Sequence, residues 1–212
     1  MPYIAGKQAF LEILKQEGVS VMFGNPGTTE LPLMDGLARE PSIRYVLALQ
    51  EAVAIAMADG YAQASGGLAA VNVHIAPGLG NAMGMLYDAQ KAGAPMLLTA
   101  GQHDQSFTAT EPILWADLPT LARPLVKWST EVHRLADLPR IVHRAAKTAL
   151  APPTGPVFLS LPSPAEPIPA GLRIVHLDTD AWSWARTSPP RWPSSAIPRR
   201  RCPTSSPPSS GC

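Results

Sequence analysis

RYVLALQEAVAIAMADGYAQASG, residues 44–66, sets an extended run, Arg44 to Leu47, directly before a helix of small side chains, with one acid, Glu51, at the join. A carboxylate amid Ala48, Leu49, Ala52, Val53 and Ile55 is costly to bury unless something holds its proton or its charge. This segment alone supports two readings: an ordinary first-turn acid favoured by the helix dipole, or a carboxylate kept there for chemistry. The strand-then-helix order decides the fold class, because it repeats on both sides.

Upstream, Ala9 to Gln16 carries Phe10, Leu11 and Leu14 at helical spacing and closes at Gly18. Val19 to Phe23 is a short β-type run ended by Gly24-Asn25-Pro26-Gly27, and Glu30 to Ala38 reads as a helix. Downstream of the helix Glu51 to Ala64, a strand is predicted at Ala70 to Val73 and a helix near Gly80 to Lys91. Further strands are predicted at Met96 to Thr99, Leu125 to Trp128 and Val157 to Ser160. Helices are predicted around Ile113 to Leu121 and over Leu138 to Ala149. Strands alternating with helices predict an α/β fold, a three-layer α/β/α domain on a mostly parallel, roughly six-stranded sheet. Short apolar strands predict burial on both faces. There is no internal repeat.

Composition narrows the function classes. The 212 residues carry a net charge of +1, so neither a nucleic-acid surface nor an anionic membrane partner is expected. No apolar run reaches the ~18 residues of a membrane span. The N-terminus has no basic segment followed by an apolar signal core, so a cytoplasmic location is expected. Cys202 and Cys212 both lie at the far C-terminus, which excludes a disulfide scaffold and a cysteine metal site in the folded part. Composition changes near Thr179, which divides the chain into a domain, 1–178, and a Pro/Ser/Arg-rich tail, 179–212, expected to be disordered. Arg199 to Arg201 suggests a basic arm, but Trp182, Trp184 and Trp192 fit neither an arm nor a linker. A frame change in a GC-rich gene accounts better for the tail; an intact frame on resequencing, with no homologous coding downstream, would end that explanation.

In an open parallel sheet, ligands bind where the carboxyl ends of the strands meet the following loops. Those loops hold Gly24 to Glu30, Leu49 to Glu51, His74 to Gly78 and Ala100 to His103. Thr28, Thr29, Glu51, His74, Asn81 and Gln102 would converge there. Each has a structural alternative: Gly24 to Gly27 as a turn, Thr28 or Thr29 as a helix cap, and His74 as a packing histidine. The run Gly78 to Gly84 fails the dinucleotide-binding spacing, and Met83 and Met85 read as packing residues. The other histidines show no ligand spacing with acids, and no Gly-x-Ser-x-Gly elbow occurs, so neither a zinc site nor a serine hydrolase is expected.

Five segments then carry a resemblance: FGNPGTTELP (23–32), YVLALQEAVAIAMADGYAQASG (45–66), VNVHIAPGLGNAMGMLYDAQ (71–90), TAGQ (99–102) and ARPLVKWS (122–129). In order and spacing they resemble the N-terminal, pyrimidine-binding domain of thiamine-diphosphate-dependent enzymes, on the side of the benzoylformate decarboxylases and acetolactate-synthase-like proteins. The likeness runs from about Gly6 to about Pro162. It implies thiamine diphosphate as cofactor and a 2-oxo acid as substrate. It also implies a role for Glu51 as the carboxylate facing N1′ of the cofactor's aminopyrimidine, where sharing a proton promotes the imino tautomer. By the same resemblance His74 and Thr28 fall on active-site positions, moving protons and orienting the substrate carboxylate. Gly27, Pro26, Asn81 and Gly78 shape the pyrimidine pocket. His74 favours the decarboxylase branch. Threonine at 28, and Ile75 to Gly78 after the histidine, depart from the family pattern and bear on substrate choice.

In that family the diphosphate is held through Mg²⁺ by a Gly-Asp-Gly motif in a separate C-terminal domain, and this sequence has no such motif. Ala58-Asp59-Gly60 is a partial echo inside a helix. The resemblance therefore implies a truncated, half-site chain, inactive alone, that forms a homo-oligomer or pairs with a C-terminal cofactor domain. A carboligase fragment and a non-catalytic pairing domain are the alternatives.

Overall fold

The computed structural model describes residues 5–162, and within them the chain order is strand–helix alternation throughout. Helix α1 (Gly6–Gln16) leads to β1 (Val21–Asn25), a 3-10 turn at Thr28–Glu30 and α2 (Leu31–Leu37). Next come β2 (Arg44–Leu47), α3 (Glu51–Ser65), β3 (Ala69–Val73), α4 (Ile75–Ala92) and β4 (Met96–Gln102). After a 3-10 segment (Gln105–Thr110) follow α5 (Leu118–Ala122), β5 (Ser129–Glu131), α6 (Leu138–Leu150) and β6 (Val157–Pro162). The six strands form one sheet in the order β2-β1-β3-β4-β6-β5, with every neighbouring pair parallel. The α/β/α expectation holds, and the sheet is wholly parallel.

Period-two alternation on the central strands divides the core. Phe23, Val71, Val73, Leu98, Ala100 and Phe158 meet α3, α4 and α5 on one face. Met22, Ala70, Leu97, Val157 and Leu159 meet α1, α2 and α6 on the other. Both faces of β3 and β4 are buried from end to end, as parallel strands between helical layers require. Small residues Ala54, Ala58 and Ala62 on α3, facing Leu79, Ala82 and Leu86 on α4, let those helices lie close above the sheet. Both helices end on a left-handed glycine, Gly66 at φ +67° and Gly93 at φ +69°.

Several boundaries shift by two or three residues, and three elements depart further, each for a physical reason. The strand expected at Leu125 to Trp128 is β5 at Ser129–Glu131. Val126 and Trp128 supply apolar packing just before it, while Lys127 and Trp128 already exchange backbone bonds with Pro156 and Phe158. The helix expected near Gly80 starts at Ile75, because Pro77 and Gly78, turn residues by composition, fit a helical first turn where no backbone donor is missed. The helix expected around Ile113 to Leu121 is only α5, capped by Asp117, whose carboxylate accepts the Thr120 amide. The domain end at 178 and the tail 179–212 lie outside the described residues.

Phe158 has no exposed surface and sits at the centre of one core face. Phe158→Ala is expected to cost about 3–5 kcal/mol in urea denaturation, as large-to-small changes in closed cores do.

Candidate active site

Two buried carboxylates define the crevice at the carboxyl ends of the strands. Glu51, the first residue of α3, is 6% exposed. Its Oε1 accepts the side-chain amide of Asn25, the last residue of β1, at 3.1 Å, and its Oε2 accepts that of Asn81 on α4 at 3.1 Å. The position a Cβ would take at Gly78 lies 3.1 Å from Glu51 Oε1, so the small residue keeps that side of the carboxylate clear. The cap of α3 is Gln50, whose side chain accepts the Val53 amide, which leaves the acid free of capping.

The second carboxylate, Glu30, is 3% exposed and closes the 3-10 turn after β1. Oε2 accepts the Gly27 amide at 2.8 Å and faces His74 Nδ1 at 2.8 Å. Oε1 accepts the Gly101 amide at 2.8 Å and the Thr29 hydroxyl at 2.6 Å. Nδ1 of His74 also lies 3.3 Å from Thr29 Oγ1. The Glu30 oxygen can only accept, so Nδ1 is the nitrogen that carries a hydrogen toward it. Glycine is obligatory at two places. A Cβ at Gly27 would fall 2.2 Å from His74 Nδ1, and one at Gly101 2.2 Å from Glu30 Oε1. His74 itself is the N-cap of α4, and Ile75 after it is held at φ +37°, a strained value for a β-branched residue that turns β3 sharply into the helix.

The two carboxylates hang from shared elements: Asn25 and Gly27 on one loop, His74 and Gly78 across the first turn of α4, where the Gly78 amide bonds the His74 carbonyl. The structure thus brings Glu51, Asn81, Gly78, Gly27 and His74 into one crevice, with Pro26 half-buried between the two loop contacts. Thr28 is exposed at the start of the 3-10 turn; Thr29 is the threonine that meets His74. Gln102 turns away, its amide bonding the Ala116 carbonyl and its oxygen accepting the His103 amide. Burial and the neighbouring His74 push the His103 imidazole below its ordinary range. Met83 and Met85 pack against the core. Among the described residues no three His, Cys, Asp or Glu side chains gather as a metal site, and no helix is long and apolar enough to cross a membrane.

Sequence reasoning missed Asn25, taken as a turn residue, and Glu30, taken as the start of a helix. The available signal for Glu30 was an acid three residues after Gly27, the spacing at which a side chain reaches back to an N-cap amide.

A parallel α/β domain with a buried acid at a strand–helix join beside an imidazole has the shape of a cofactor-binding module. The chain belongs to the thiamine pyrophosphate enzymes: residues 4–117 match the family's N-terminal TPP binding domain. It is 44% identical over 172 residues to benzoylformate decarboxylase of Pseudomonas aeruginosa, covering 80% of this chain and 32% of that protein. It is 35% identical over 158 residues to the acetolactate synthase large subunit of Lactococcus lactis, covering 74% and 28%. The solved thiamine diphosphate-dependent 4-hydroxybenzoylformate decarboxylase of Rhodococcus jostii RHA1 superposes with a TM-score of 0.72 at 40% identity, over 82% of this chain and 34% of that one. The chain therefore spans about a third of the length of the relatives it matches.

Glu30→Gln replaces one oxygen by an NH2 that must face two of the four donors. The expected outcome is a loss of about 1–3 kcal/mol in denaturant stability. His74 should also lose its fixed Nδ1–H tautomer, which long-range ¹H–¹⁵N spectra of the imidazole would show.

Proposed function

We propose that this domain is the pyrimidine-binding half of a thiamine-diphosphate-dependent 2-oxo-acid decarboxylase of the benzoylformate type. The observation that carries the reading is the environment of Glu51: a buried carboxylate, steadied by two neutral amides, with acceptor capacity left over and a glycine beside it. These residues fit an aminopyrimidine. Glu51 would meet its ring nitrogen, Asn25 and Asn81 would keep the carboxylate aimed, and Gly78 and Gly27 would give the ring room. When bound, the cofactor supplies an electron sink for the pair released as carbon dioxide leaves.

The chain's own groups divide the proton work. Glu51 holds or returns a proton at its carboxylate oxygen as the ring nitrogen requires. His74 offers Nε2 to the crevice, while Glu30 fixes its tautomer through Nδ1. Thr28, exposed at the start of the 3-10 turn, would orient a substrate carboxylate once the site is covered. Nothing in the sequence supplies the Gly-Asp-Gly anchor for Mg²⁺ and the diphosphate, so in this reading they are held by a further domain, whichever chain carries it, and the domain alone does not turn over. Leu47, Leu49 and Val53, exposed on either side of the buried acid, offer that domain an apolar seat. Identity to a benzoylformate decarboxylase exceeds that to an acetolactate synthase, which supports decarboxylation over carboligation.

The test is a chimera in which residues 5–162 replace the matching third of the Pseudomonas aeruginosa benzoylformate decarboxylase. Carbon dioxide release from benzoylformate is expected, and Glu51→Gln should lower it by roughly 10²–10⁴-fold, the span of a lost acid–base group. Acetolactate formed from pyruvate would favour the carboligase, and a folded, cofactor-loaded chimera indifferent to Glu51→Gln would end the reading.

A further inference from the structure

A cavity of about 570 Å³ lies on the sheet face covered by α1, α2 and α6. Its apolar wall comes from five places in the chain: Phe10 on α1, Leu33 on α2, Val132 after β5, Leu138 on α6 and Leu161 on β6. Leu135 also lines it, beside Gly6 at the start of α1, with 62% of its surface exposed. Apolar walls without facing atoms forgo dispersion contacts, so a hollow of this kind favours an apolar occupant.

The chain itself points to that occupant. Leu161 and Pro162, the half-buried last residues of β6, line the cavity, so the chain leaves β6 from the cavity wall. A segment tethered there has a local concentration in the millimolar range, which a separate partner does not match at ordinary concentrations. The next residues, 163–176, read SPAEPIPAGLRIVH. Pro164, Pro167 and Pro169 hold φ near −65° and bias the residue before each toward extended backbone. Such a stretch loses less conformational freedom on seating than an ordinary chain would. At ~3.1 Å per residue, Ile168 reaches roughly 19 Å from Pro162, enough to cross a hollow of this volume. Leu172, Ile174 and Val175 follow with further apolar surface. The segment also brings one charge of each sign, Glu166 and Arg173, to a cavity lined by Lys7 and Asp104. Composition turns Pro/Ser/Arg-rich only near Thr179, after this stretch.

We infer that residues 163–176 fold back over the cavity as a strap and seat Ile168 against Leu135 and Leu138. The domain then continues past Pro162 to the change in composition. Glu30 and Asn72 line the same cavity, so the strap lies beside the buried carboxylate that holds His74. The inference goes beyond the function proposed above and does not depend on it.

The test uses the 212-residue chain with isotope-labelled Ile and Leu methyl groups. Nuclear Overhauser contacts are expected between the Ile168 methyls and those of Leu135 or Leu138. Their absence overturns the inference. Contacts seen only between differently labelled copies in a mixed sample would give the cavity to a second chain, and contacts from Ile197 in place of Ile168 would give it to the tail; either result overturns the strap. Ile168→Asp is expected to lower the melting temperature by several degrees, while Ile197→Asp, beyond the change in composition, leaves it unmoved. Equal shifts for the two variants, or none for either, overturn it. Should Ile168→Asp prevent folding, the methyl contacts of the unsubstituted chain still decide. No arm requires the cofactor or a partner domain, so failure of the chimera and failure of the strap are separate results.

Discussion

Glu30 ties the carboxyl ends of three parallel strands to one another. Its four accepted bonds come from the loop after β1, from His74 just after β3, and from β4. A carboxylate offers about four lone-pair directions, so these donors saturate it. An ionised group 3% exposed is tolerable only when its lost hydration is replaced in full by charge-assisted bonds. The rest of the crevice follows from meeting that requirement. Gly27 and Gly101 must lack side chains, the turn after β1 must tighten into a 3-10 helix, and the β3–α4 junction must strain at Ile75 to bring His74 within reach.

Glu51 differs from Glu30 chiefly in the number and kind of its donors. It accepts two side-chain amides, and at Gly78 no side chain crowds Oε1. Two side-chain amides leave part of the Glu51 acceptor capacity unused, whereas the four donors to Glu30 fill its own. One acid is thereby committed to architecture and the other keeps capacity for a ligand. Asn25 and Gly27, two residues apart, serve one acid each, so the loop after β1 sets the spacing of both.

The fold was legible in the sequence wherever burial was symmetrical. β3 and β4, buried on both faces, are largely apolar, broken only by Asn72, Thr99 and Gln102, and α6 carries its periodicity openly. Legibility failed at the sheet edge and at the strand–helix joins. β5 is a polar Ser-Thr-Glu strand, so the reading slid onto the apolar residues before it. α4 begins on residues whose composition signals a turn, and only the tertiary position of His74 makes them helical. Glu51 stood out because its neighbours are apolar in sequence. Glu30 did not, because its apolar surroundings come from strands far along the chain, and Gly101 lies 71 residues away. Local context reveals a buried charge only when the burying residues are adjacent. The choice between Thr28 and Thr29 has the same origin, since one hydroxyl turns inward to Glu30 and the other outward to solvent.

On the proposed function, a contrast in exposure separates what this domain supplies from what a covering surface would add. Glu51 and Glu30 are buried, while Leu49 is 92% and Ile113 86% exposed, both on segments that follow strands at the same end of the sheet. Apolar side chains left in water cost free energy that another surface would recover on closing, and that same closure would strip water from the crevice. Coulombic and hydrogen-bond terms strengthen as the effective dielectric falls. Covering would therefore not need to build the geometry of the two acids. The bonds from Asn25, Asn81, Gly27 and Gly101 already fix it within a single domain, and a covering surface would add dryness and the remaining ligand contacts to a site whose acids are in place.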